Sequence, residues 1–178
     1  MNILPFAHAP QAGGEAEMPG EAQARQGSRF VTEPLAQAAL ATVTPLIAAQ
    51  LASPEVSGLG VLHLVVLDPA QPYSGGVSTP RILCEHSIGD RSRWDVDYAD
   101  YARRKAALSW RHRMDSRRLY WLAPHLLRAD EEPLWGSVWL DGIVVAASGA
   151  FPIWDECFCL MAAAQLRALA WETAQRAA

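Results

Sequence analysis

Apolar side chains recur every three to four residues at Leu35, Ala38, Ala39, Val43, Leu46 and Ile47, the period of an amphipathic helix. Thr32 stands where an N-cap belongs, with Glu33 and Pro34 in the first turn, so the pattern predicts a helix to about Ala52, bent at Pro45. From Gly60 to Leu67 the pattern changes to a short β-branched apolar run ended by Asp68-Pro69, as in a buried strand. Arg81 to Ile88 reads as a second strand, antiparallel to the first across a Gly/Pro/Ser loop, which would bring His63 and His86 near each other. Asp95 to about Met114 returns to helical spacing, with Tyr98, Tyr101, Ala102, Lys105, Leu108 and His112 on shared or adjacent rows. Ser116 to Arg128 is rich in aromatic and leucine residues and reads as partly helical.

The last third is the most explicit. Val138-Trp-Leu and Ile143-Val-Val flank Asp141-Gly142, the pairing that favours a type I′ hairpin turn. Asp155 is positioned to cap a final helix, with Glu156 in its first turn and Leu160, Met161, Ala164, Leu166, Leu169 and Ala170 forming a broad apolar surface. The order is helix, two strands, helical region, two or three strands, helix. It argues for an α+β sandwich built on an antiparallel sheet.

Composition limits what such a domain can be. In 178 residues, the first 28 hold several Gly and Pro and little apolar surface, which predicts a disordered tail of 1–28 before one domain of 29–178. Apolar residues (51%) are dispersed rather than gathered into a membrane span, and the N-terminus lacks a basic segment before its apolar run, so a cytoplasmic protein is expected. Cys157 and Cys159 would point about 200° apart on a helix, against a local disulfide or metal clamp, and no metal site is expected. Of the 15 basic residues, ten lie between Arg81 and Arg118. Without aromatic stacking platforms or a nucleic-acid motif, this clustering reads as a solvated helix face or an oligomer contact. No Walker loop, dinucleotide fingerprint, HExxH, nucleophile elbow or CxxC pair occurs, and no catalytic residue is assigned.

Several segments carry a family resemblance: Val61 to Leu67, Ile82 to Gly89, Asp97-Tyr-Ala-Asp-Tyr-Ala-Arg-Arg-Lys105, Gly136-Ser-Val-Trp-Leu, Asp141 to Gly149, and Asp155-Glu-Cys. In order and spacing they resemble the HbpS/GlcG-like, or heme-degrading-domain, family over roughly Leu35 to Ala174. The resemblance implies a profilin-like three-layer sandwich with a central antiparallel sheet of about five strands. It also implies a homo-oligomer that binds heme or another small anionic molecule, with no nucleic-acid or membrane partner. The implied pocket lies where Ser148-Gly149 faces the Asp155 helix start and the Lys105 helix of the same or a neighbouring subunit. Lys105, His112, Ser148, Gly149 and Asp155 are the candidate ligand contacts, while His63, His86 and His112 all remain open as axial ligands for heme.

Two departures stand out. Trp135 precedes Gly136 where many relatives have two glycines, and Glu156 follows Asp155 where one branch has His. Each candidate also has an architectural reading: Ser148-Gly149 as a turn, Asp155 as a cap, Arg103 and Arg104 paired with Asp97 and Asp100, and Trp135, Trp139 and Trp154 as core or interface anchors. Two other functions fit the same residues, a non-enzymatic oligomeric interaction module and an enzyme acting on a small organic acid.

Overall fold

All six residues of β1 (Leu62–Leu67) and all six of β4 (Ile143–Ser148) are buried, because these two strands are the centre of the sheet and both faces are covered. The computed structural model describes residues 27–74 and 79–178. Among them the sheet has four strands in the order β2-β1-β4-β3, all neighbours antiparallel, with β2 at Ile82–Ile88 and β3 at Ser137–Leu140. The expected count of about five is thus corrected to four. The second half of the described residues contributes one hairpin, and the aromatic segment before it is partly helical, as its pattern predicts.

Alternation along β1 and β4 sorts the core into two layers. Leu62, Leu64, Val66, Val145 and Ala147 face α1 (Glu33–Leu51) and the long C-terminal helix α4 (Pro152–Arg176). Val65, Leu67, Val144 and Ala146 face α2 (Tyr98–His112), which contributes Ala102, Ala106 and Trp110. Small residues on α2 let the helix lie close to the sheet, the condition for burying a long side chain such as Lys105 along it. A short helix α3 (Ser116–Leu122) and a 3-10 turn at Pro124–Leu126 follow α2. The result is an α+β fold with helices on both sides of an open antiparallel sheet.

Local chemistry explains most boundaries. The Asp97 side chain accepts from the Asp100 N–H and starts α2, and Arg113 ends it in the left-handed conformation. Asp141 (φ 51°) and Gly142 (φ 91°) form a two-residue turn between Leu140 and Ile143, with both residues at positive φ as a type I′ turn requires. Thr32 sits at the N-cap of α1 as expected, without a capping bond from its hydroxyl. Two local expectations are corrected. The helix α4 begins at Pro152 with Phe151 as N-cap, so Asp155 lies inside its first turn; proline at the first helical position set the start. His86 pairs in register with Leu64 and His63 with Ser87, which puts the two histidines on opposite faces of the sheet.

Residues 1–26 of the expected tail lie outside the described residues. Gly27 and Ser28 are already tied to the domain, the Ser28 N–H donating to Asp68 Oδ1 at 3.3 Å. Among the described residues one helix, Glu33–Leu51, is long and apolar enough to cross a membrane by length and composition, which the dispersed-composition reading did not anticipate. Its Ala36, Ala39, Leu40, Val43, Ile47 and Leu51 are buried in the domain core.

Candidate functional site

Lys105 lies in the middle of α2, where the helix passes over the ends of β3 and β4. Its position is fixed by a seam of serines. Ser137 Oγ donates to the Lys105 carbonyl at 2.7 Å, and Ser116 Oγ accepts from the Gly136 and Ser137 N–H groups at 3.1 and 3.0 Å. Buried at 6% exposure, Lys105 sends its Nζ to Asp155 Oδ2 (2.7 Å), the Ala147 carbonyl (2.9 Å) and Ser148 Oγ (3.4 Å). An ammonium has three N–H donors, so every one of them is engaged. Asp155 is held from its other side by the Ala150 N–H, which donates to Oδ1 at 3.0 Å. Burial pushes the Asp155 carboxyl up to about 7, and the Lys105 ammonium, pulling the other way, limits the rise.

Gly136 makes this ion pair possible. It adopts φ +123°, and a Cβ there would stand 2.7 Å from Asp155 Cβ and 2.9 Å from Lys105 Nζ. Gly136 is therefore the residue over which Lys105 and Asp155 meet.

Above the pair opens a cavity of about 540 Å3. Lys105 and Ser148 line its polar end. Tyr98 and Tyr101 of α2, Tyr120 and Trp121 of α3, and Trp135 supply aromatic walls, while Val96, Pro133, Leu134 and Pro152 close the rest. The Tyr98 hydroxyl donates to Asp95 Oδ1 at 2.7 Å, and burial followed by that carboxylate pushes the phenol up to about 12.

Of the five candidate contacts, the fold brings Lys105, Ser148 and Asp155 together. Lys105 and Ser148 face the cavity, and Asp155 is buried behind them at 1% exposure. Gly149 follows on the same strand end, but a Cβ there would meet the Val61 carbonyl at 2.4 Å, so the position serves a close approach of β4 to the start of β1. His112 is not in the cavity lining. It lies at the far end of α2, where its Nε2 meets Glu131 Oε2 at 2.8 Å beside the Arg111–Glu131 pair. The Arg-rich region is largely consumed in pairing: Arg81, Arg103, Arg104, Lys105, Arg111 and Arg117 each sit on a carboxylate. Arg104 reaches Asp100, as the spacing predicts, whereas Arg103 goes to Glu85 with two bonds of 2.6 and 2.7 Å.

Sequence reasoning missed the aromatic walls, because their rings come from three separate segments and only α2 shows its tyrosines on one face. Nothing in the sequence links Trp135 and Glu156, the two departures from the resembled pattern. In the fold they touch: Trp135 Nε1 donates to Glu156 Oε2, and Arg117 Nε reaches both Glu156 oxygens at 2.9 and 3.0 Å. No group of three metal-ligating side chains gathers among the described residues. No protein-family model matches the chain, and no curated protein matches it.

Proposed function

We propose that this chain binds a small planar or amphipathic molecule carrying an oxygen acceptor, with its body among the aromatic rings and its polar end against Ser148 and Lys105. The observation that carries this reading is the combination in one cavity of five aromatic side chains and a single buried ammonium. Aromatic and apolar walls with a few fixed polar groups are the usual make-up of a small-molecule site. Lys105 is already satisfied, so the polar end is close to neutral overall, and the Ser148 hydroxyl is the group left to donate to a ligand carboxylate or carbonyl. The order of elements, with its resemblance to the HbpS/GlcG-like family, supports the same class of ligand, and a profilin-like kinship belongs to this proposal. Three free thiols, Cys84, Cys157 and Cys159, suit a reducing cytoplasm.

The cavity fits heme poorly. Among the described residues no histidine, cysteine or methionine lines it, and the raised Tyr98 phenol opposes ligation as a phenolate. The reading therefore favours an iron-free aromatic acid. Titration with 2-naphthoate, followed by calorimetry, should show saturable one-to-one binding that Trp121→Ala and Ser148→Ala each weaken about tenfold, while hemin shows no shifted Soret band. Absence of saturable naphthoate binding would remove the proposal.

A second reading, self-association, is favoured by exposed apolar residues around α3 and the start of α4: Tyr120, Trp121, Leu122, Phe151, Ile153 and Leu160. Light scattering decides it, since Trp121→Glu together with Ile153→Glu should turn a dimer mass into a monomer mass.

A further inference from the structure

We propose that Trp135, held in place by Glu156, is a size-selecting wall that separates the aromatic cavity from a second, apolar hollow on α4. The proposal rests on the reading of the cavity as a ligand site and names what limits its ligand. The second hollow, about 400 Å3, is lined by Ile153, Trp154, Glu156, Cys157 and Leu160. Trp135 lines the first cavity, and its indole N–H donates to Glu156, which lines the second. The hydrogen-bonded pair of Trp135 and Glu156 thus has one member on each hollow.

Three features hold it there. The Glu156 side chain is only 8% exposed, so rotation of the indole away from it would strip a buried carboxylate of a donor. The same carboxylate takes the Arg117 Nε, and Arg117 sits on α3 beside Tyr120 and Trp121 of the opposite wall. One side chain thus ties together α3, α4 and the segment leading into β3, which carries Trp135. Next to Trp135, Gly136 lies where a Cβ would stand 2.7 Å from Asp155 Cβ and 2.9 Å from Lys105 Nζ, so the chain passes close over the ion pair at this point. A ligand in the first cavity accordingly meets a fixed ring, and only removal of that ring joins the two hollows. Glu156 acts here through Trp135 and is a positioning residue.

The test compares two ligands, 2-naphthoate and metal-free coproporphyrin, on the full chain and three variants, with melting temperature recorded for each. Wild type is expected to prefer naphthoate. Trp135→Gly should raise the coproporphyrin-to-naphthoate affinity ratio at least tenfold, and Glu156→Leu should move it the same way. Glu156→Gln, whose amide oxygen can still accept the indole N–H, should keep the wild-type ratio, a rescue that a general loss of stability would not give. If Trp135→Gly fails to fold, Glu156→Leu, which keeps an apolar filler, carries the comparison. An unchanged ratio in the folded variants, with naphthoate still bound, overturns the wall alone. Failure of wild type and every variant to bind naphthoate overturns the ligand reading and the wall with it.

Discussion

At the scale of single residues, Lys105 and Asp155 dominate because each would be a costly isolated charge in the core. Their separation of 2.7 Å, the Ala147 carbonyl and the Ala150 N–H offset the loss of water around them. Removing one partner strands the other. Lys105→Met is expected to destabilise the fold by about 3–5 kcal/mol, whereas Lys105→Met with Asp155→Leu should recover most of that loss, since apolar replacement of a whole buried pair is often neutral. Urea unfolding of the wild type, both single variants and the double variant measures the coupling. Additive losses in the double variant would show that the pair does not act as a unit.

At the scale of elements, the connection between α3 and β3 has little regular structure and is held by its acidic side chains. Glu131 accepts from Arg111, from the His112 ring and from the Arg128 N–H at 2.8 Å; Glu132 meets Arg104 at 2.5 Å. Burial pushes the Glu131 carboxyl up, but the Arg128 N–H, His112 and Arg111 outweigh it and hold the group below the ordinary carboxylate range. Glu131→Ala leaves Arg111 half-stranded, a loss of about 2–3 kcal/mol. Backbone amide exchange should then accelerate between residues 124 and 135 while the centre of α2 stays protected. Uniform acceleration across the domain would mean that Glu131 is not a local pin. The elements themselves were legible in the sequence wherever the signal is local. Asp141-Gly142 encodes its turn through φ alone, and the switch from a period of 3.6 to short β-branched runs separates helices from strands. The Asp155 cap misled because Pro152, three residues earlier, is the stronger start signal. The resemblance set Lys105, Ser148 and Asp155 in one pocket, although no local pattern in these segments announces that they meet beside Gly136; the aromatic walls were not legible, because their rings come from separate segments.

At the scale of the whole molecule, the polar groups buried against the sheet lie mainly on its α2 face, and one of them contributes to the response to acid. His63 is 4% exposed, its Nδ1 meets Ser87 Oγ at 2.8 Å, and its Nε2 has no hydrogen-bond partner among the described residues although Glu85 Oε2 lies 3.8 Å away. Burial lowers its pKa below 6.5, and the Arg103 and Arg91 charges add to the effect while Glu85 and Asp97 oppose it. The unfolded chain therefore takes up this proton first. The contribution of neutral His63 is complete above about pH 6.5 and is lost as pH falls from there toward the lowered folded value. Glu85, held below its ordinary range chiefly by Arg103, adds a loss at still lower pH. Asp155 works in the opposite sense, because its raised carboxyl makes the folded state less stable as pH rises from about 3.8 to about 7. The total curve mixes these contributions, so the measurement is a difference. The stability of wild type minus that of His63→Gln, from urea unfolding at pH 8, 6.5, 5.5 and 5, should be constant above pH 7 and shrink steadily below 6.5. A difference that stays flat to pH 5 would mean that His63 titrates alike in the folded and unfolded chain, and one that grows as pH falls would mean that a charged His63 pairs with Glu85.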